Sequence, residues 1–255
     1  VSTEDDPDPK PKSRWLYRLC VTLGVIGCTI GLCSGLFFLM APTIRGNADY
    51  LSFKGTMKQL TLGVHNYNDS NGTLPGPFDD RNGRVTEIPQ DPRRRLSWRA
   101  AVLPFVEEDG VFRMLDPSQP WDGSVNSPAT SLAIRPYTDP ADGRTSTHTP
   151  FRVFHDNGAL WDTDPKNRIP PDKIPDGASN TILIAESTVQ VPWAQFNEHP
   201  FDPNGSLPEL GRASRNTFLV AMADGSVRVV KKSVSANTLR AAITRDGGES
   251  LGPDW

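Results

Sequence analysis

Asn47–Asn68 reads NADYLSFKGTMKQLTLGVHNYN, and within it Phe53, Met57, Leu60, Val64 and Tyr67 follow one another at offsets of 4, 3, 4 and 3. That spacing places five apolar side chains on one face of a helix. Lys54, Lys58 and Gln59 fall off the stripe. The segment is predicted as an amphipathic helix whose core stripe needs a surface to lie against. Asp69-Ser70-Asn71-Gly72, followed by Pro75 and Pro77, marks its end, because turn formers and proline interrupt the backbone ladder.

Upstream, LCVTLGVIGCTIGLCSGLFFLMAPTI separates Arg18 from Arg45, 26 residues without a charge. Leu19 to Met40 as a helix is about 33 Å long, close to the ~30 Å hydrocarbon core of a bilayer. A buried core helix rarely runs beyond about 14 uninterrupted apolar residues, and a cleaved signal peptide has a shorter apolar region ending in small-x-small. No Ala-x-Ala follows Met40. The expectation is an uncleaved transmembrane helix over 15–42, preceded by a disordered, charged, proline-rich cytoplasmic tail over 1–14 and followed by an extracytoplasmic domain over 43–255. Lys10, Lys12, Arg14 and Arg18 before the span, against Arg45, Lys54 and Lys58 after it, favour a cytoplasmic N-terminus. Cys20, Cys28 and Cys33 all lie inside the span, so the outer domain carries no disulfide. Gly27, Gly31 and Gly35 form two consecutive G-x-x-x-G steps, which fit self-association of membrane helices as well as an ordinary glycine-rich span. A break at Pro42 and a single bent helix through it are both compatible with the sequence.

Composition narrows the function. The first 42 residues hold four basic and four acidic side chains, so the remainder keeps the whole-chain net charge of -3. Nucleic acid is not an expected partner, because phosphate binding takes clustered Lys and Arg. The one dense basic run, Arg93, Arg94, Arg95 and Arg99, reads as a solvated loop face. With Pro 24 and Gly 21 in the chain, long ordered loops are expected rather than a helical bundle.

Downstream, Ser97 is a good N-cap for a second helical region bearing Trp98, Ala101, Val102, Phe105 and Val106, with Pro104 tightening or kinking it. Val111 to Leu115 continues briefly. From Pro117 to Asp176 the chain is loop-rich, and only Phe151-Arg152-Val153-Phe154 has strand character. Asn180 to Glu186 is an apolar strand opened by the turn Asp176-Gly177. Thr217 to Ala223, Asp224-Gly225 and Ser226 to Val230 make a hairpin, with Asp-Gly supplying the positive φ that tight turns need. Ser235 caps a short helix, ANTLRAAIT, ended near Gly247-Gly248. Helix first and antiparallel strands later is an α+β order.

The chain resembles the bacterial domain of unknown function 1559 family, planctomycete-type membrane-anchored proteins similar to type IV pilins and pseudopilins. The resemblance is carried by Met57-Lys58-Gln59-Leu60 with His65-Asn66-Tyr67, Ser97-Trp98-Arg99 leading into Leu103-Pro104-Phe105-Val106-Glu107, and Pro120-Trp121-Asp122. Later pieces are Ile174 through Ile182 with Glu186, Val191-Pro192-Trp193, Ala223-Asp224-Gly225-Ser226-Val227, and Leu239 through Glu249. It implies a pilin-like helix packed on an antiparallel sheet, outside the cytoplasmic membrane, with no known catalysis. Two features depart from the family pattern. The prepilin-type Gly-Phe-Thr-Leu-Ile-Glu run is replaced by Arg18-Leu19-Cys20-Val21-Thr22-Leu23, and the cysteine before a Pro-x-Asp turn gives way to Arg135-Pro136-Tyr137-Thr138-Asp139.

Candidate chemistry is sparse. His65, His148, His155 and His199 include no pair at metal-ligand spacing; His65 is expected to be structural and the others to lie on the surface. No Gly-x-Ser-x-Gly elbow and no cysteine outside the span supplies a nucleophile. A carboxylate pair for glycoside hydrolysis is defined by spatial separation, so a hydrolase stays open. Asp162-Thr163-Asp164 and Asp176-Gly177 with Asn180 offer oxygens that suit either calcium or turn formation, and no other cofactor is implied. Trp121 and Trp193, each beside a proline, are the tryptophans expected to face a partner or sugar. The sequence thus points to a non-catalytic, single-pass cell-envelope protein acting by interaction or assembly, with an extracytoplasmic glycan- or calcium-binding module as the alternative.

Overall fold

Four strand-forming runs have to find partners after one long helix, and the computed structural model shows how they do so. It describes Arg18, Thr22, Leu23, residues 49–76, 94–143 and 145–255. The predicted cytoplasmic tail, nearly all of the predicted span, and Gly27, Gly31 and Gly35 lie outside the described residues. Among the described residues no helix is long and apolar enough to cross a membrane. The chain divides into two units, Val1–Tyr50 and Leu51–Trp255. In the first, Arg18, Thr22 and Leu23 are helical, and the Thr22 hydroxyl donates to the Arg18 carbonyl at 3.0 Å.

The second unit begins with helix α1, residues 51–71. It runs three residues beyond the predicted Asn68. Asn71 Nδ2 donates to the Tyr67 carbonyl, and Gly72, at φ +75°, turns its N–H onto Asn68 O at 2.6 Å. The Asn-Gly pair therefore closes the helix from its own end. Phe53, Met57, Leu60, Val64 and Tyr67 are all buried. Phe53 stacks on Phe151 at 5.0 Å, and Tyr67 meets Phe105 edge-on at 5.6 Å. Between them Gly63 admits Val106, since a Cβ there would lie 2.6 Å from Val106 Cγ1.

Ser97 caps α2, Trp98–Val102, which tightens at Pro104 into a 3-10 turn over Leu103–Val106. Two single turns follow, α3 over Asp109–Phe112 and α4 over Ser127–Thr130. The strands are β1 His148–Arg152, β2 Phe154–His155, β3 Ile182–Pro192, β4 His199–Pro200, β5 Thr217–Met222 and β6 Val227–Lys231. The order β1-β3-β5-β6 makes a four-stranded antiparallel sheet; β2 and β4 form a parallel pair.

Strand β3 is longer than the predicted Asn180–Glu186. Its polar second half is held by β1, with Thr149 opposite Val191 and His148 opposite Pro192. In the hairpin, Gly225 N–H reaches Met222 O and Met222 N–H reaches Ser226 O, and Gly225 alone has positive φ. This is a three-residue loop with a glycine bulge. Helix α5, Ala236–Ile243, stops at Thr244, before the predicted glycines, because Thr244 turns extended and bridges Ala159. α5 brings Leu239, Ala242 and Ile243 onto Phe218, Val220 and Met222 of β5. Leu219 and Ala221, on the opposite side by strand alternation, are equally buried. Cover on both faces of β5 explains why FLVAM, after the partly buried Thr217, is apolar without interruption.

Candidate functional site

Ser97-Trp98-Arg99 folds into the most enclosed polar cluster described. Arg99 has 0% exposure although it stands in the predicted solvated basic run. Its neighbour Arg94 behaves as expected, exposed and paired with Asp122 at 3.3 Å. Arg99 turns inward because Glu198, 99 residues away, waits there: Nη1 reaches Oε1 at 2.8 Å and Nη2 reaches Oε2 at 3.2 Å. The guanidinium also donates to the Phe151 carbonyl through Nε at 3.1 Å and through Nη2, and to Ser97 Oγ at 2.6 Å. Glu198 Oε2 accepts from Val153 N at 2.9 Å. Tyr137 caps the cluster by donating its hydroxyl to Arg99 O at 2.6 Å, and burial holds that phenol far above its ordinary range.

A fork-to-fork pair with both charges enclosed is stable only when its remaining donors and acceptors are filled, and here they are. Arg152 stands alongside, donating to Asn197 O and Glu198 O, with burial lowering its pKa to about 10. His199 is buried rather than on the surface. Burial, then the positive field of Arg152, lowers its pKa to about 3, so the imidazole is neutral.

A second cluster lies around Glu186. Its carboxylate accepts from Leu219 N at 2.9 Å and Arg212 N at 3.3 Å and pairs with Arg215, whose guanidinium lies 5.5 Å from the Phe53 ring centroid. Arg212 bridges Asp139 and Asp142, each at 2.7 Å. Burial pushes both Glu186 and Asp139 up from the ordinary carboxylate range, against their hydrogen bonds and cations. The two carboxylates raise Arg212 despite the opposing effect of its own partial burial. This clasp holds the loops at 139–143 and 211–215 to the sheet. Arg135–Asp139, the departure noted from sequence, supplies Tyr137 to one cluster and Asp139 to the other.

A third grouping pairs His155 Nδ1 with Asp156 Oδ2 at 2.8 Å, while Asp156 Oδ1 accepts from Thr163 N and Oγ1. Burial works against the charged form of Asp156, but the hydrogen bonds from Thr163 and His155 lower its pKa overall. Asp156, Asn157 and Gly158 all have positive φ, held by Asn157 Nδ2 on Phe201 O at 2.7 Å. The Thr163 hydroxyl donates to the carboxylate of this pair rather than to the imidazole.

The remaining expected residues separate. Trp193 is not on the contact surface: it is 1% exposed, packs 5.8 Å from Tyr137 and donates Nε1 to Leu132 O, because β3 carries it inward at its end. Trp121 is half-buried, its N–H bonded to Arg94 O. Both oxygens of Asp176 accept the amides of Gly247 and Gly248, and Asn180 donates back to Asp176 O. Asp162 and Asp164 accept the amides of Asp164 and Lys166. These oxygens, offered to calcium on sequence, close turns. Among the described residues no group of three His, Cys, Asp or Glu could hold a metal. His65 lies beside the Gly225 turn.

Glu198, Arg212 and Arg215 carry no local signal in the sequence. Arg99, Arg152 and Glu186 do, a charge set within the apolar runs WRAAV, FRVF and ILIAE.

Fold and clusters together define an α+β domain with an antiparallel sheet whose long loops are pinned by ion pairs. Residues 54–150 match the family model described as "Protein of unknown function (DUF1559)". Over that segment the chain is similar to the domain of unknown function 1559 family. No curated protein and no solved structure matches it.

Proposed function

We propose that this chain is a single-pass membrane protein, N-terminus in the cytoplasm, that presents a pilin-like domain in the cell envelope for interaction or assembly without catalysis. The observation that supports it most is the use made of buried charge. Arg99–Glu198 and the Glu186, Arg215, Arg212 and Asp139 clasp are spent on fixing loops to a sheet. Rigid loops lower the entropy lost when a partner binds. The uncharged stretch before Arg45 would supply the anchor, with Gly27, Gly31 and Gly35 available for self-association. The partner would be an envelope protein or glycan. The alternative glycan or calcium module draws less support, since Trp193 is interior and the candidate calcium oxygens close turns.

Membrane fractionation with protease treatment of spheroplasts tests the reading. Retention in membranes at alkaline pH, with digestion from outside, is the expected result. Release at alkaline pH, or protection until the cells are lysed, overturns it.

A further inference from the structure

The sheet ends in β6, and its outward edge is unpartnered among the described residues. Lys232 N–H bonds Asn216 O and Met222 N–H bonds Ser226 O, which fixes the alternation of the ladder: residues 226, 228, 230 and 232 turn their backbone groups toward β5. Val227, Val229 and Lys231 therefore turn theirs outward. Among the described residues only the Lys231 carbonyl of these groups is used, by Val234 N–H. Val229 is 47% exposed, and Lys231 is exposed beside it.

An open edge of this kind is a template for another strand. Its charge says which. VRVVKK, residues 227–232, carries three cations and no carboxylate. Arg228 faces Asp224 across the turn and donates to Ser179 O, and Lys232 donates to the carbonyls of Gly211 and Arg212. The charges of Lys231 and Lys232 have no carboxylate partner among the described residues. A second copy laid antiparallel on the same edge would bring the Lys231 and Lys232 of both copies, four cations without a carboxylate partner, to one seam, and like charge across strands is destabilising.

We propose that the β6 edge is a docking site for an extended acidic segment of a partner protein, added as a fifth strand. Backbone pairing at Val227 and Val229 supplies affinity, and the exposed Lys231 selects carboxylates on the incoming strand. The inference rests on the reading of this domain as an interaction module and gives that module its partner class.

Fluorescence anisotropy on the purified chain tests it, independently of membrane location. The probe is a labelled seven-residue peptide alternating Glu and Val; the controls are the matching Lys and Val peptide and a Glu and Val peptide N-methylated at alternate amides. Binding of the acidic peptide at least tenfold tighter than the basic one, lost on N-methylation, is expected. Lys231→Glu should shrink that preference at least tenfold while leaving the fold intact, because its side chain is exposed. Equal binding of both charged peptides, no binding, or indifference to N-methylation overturns the proposal. So does sedimentation showing a dimer abolished by Val229→Pro, which would assign the edge to a second copy. Failure of the spheroplast experiment with success here would relocate the module without removing its site.

Discussion

The two ion-pair clusters use the same chemistry under different solvent. Arg99 and Glu198 are both fully enclosed, whereas Arg212 keeps 30% of its side chain exposed while pairing with Asp139. Coulomb attraction and desolvation cost both grow as water is removed, so the enclosed pair is the less forgiving of the two. Arg99, Glu198 and Phe151 come from three separate stretches, so that cluster is part of how the domain closes. The clasp fastens loops to a sheet that α5 and the buried apolar residues already hold.

Cutting one side of the enclosed pair gives the largest effect. Arg99→Met leaves Glu198 buried with its charge unpaired and should cost about 3–5 kcal/mol, read from urea unfolding midpoints. Adding Glu198→Gln removes the charge but keeps an acceptor for Val153 N–H, and should recover more than half. If the single and double variants unfold at the same midpoint, the uncompensated charge is not what matters and the contrast with the clasp collapses.

Acid separates the clusters by sign. His199, beside the enclosed pair, has a folded pKa of about 3 against an ordinary 6.5. The unfolded chain then binds the extra proton, so stability falls as pH drops through that window, by about 1.4 kcal/mol per unit or roughly 2 kcal/mol between pH 6.5 and 5. Asp139 and Glu186 are raised above 3.8 and 4.5, so the folded state holds their protons longer. Their contribution is fully present below those unfolded values and is lost as pH rises through the folded ones. Unfolding midpoints from pH 7 to 4 should fall with acid; His199→Phe should flatten that fall and Glu186→Gln should steepen it. A slope unchanged by His199→Phe would remove the enclosed cluster from the acid response.

The difference between the clusters also accounts for what the sequence revealed. The α1 stripe and the Asp224-Gly225 hairpin follow from local periodicity and local turn chemistry, and both were legible. The partner of Arg99 lies 99 residues away, in a loop with no pattern of its own. Nothing near Arg99 separates a buried guanidinium from a solvated one except the apolar residues on either side. Trp193 was misplaced for a related reason: a proline beside a tryptophan suggests a loop, but pairing of β3 with β1 extends the strand to Pro192 and carries the ring inward. The second half of β3, STVQV, is polar enough to read as loop, and only its partner strand makes it sheet.

Opening the clasp should have the smallest global effect. Arg212→Gln removes the bridge to Asp139 and Asp142; burial raises the Asp139 carboxyl above its ordinary range, which lessens the cost of leaving it without its cation. With the guanidinium partly solvated, the loss in global stability should be about 1 kcal/mol or less. The change should show locally, as faster amide hydrogen exchange in residues 139–143 and 211–215 with the β5 amides unaffected. Faster exchange across β5 as well would mean that the clasp, like the enclosed pair, belongs to the closure of the domain, and the distinction drawn from solvent exposure would have to be given up.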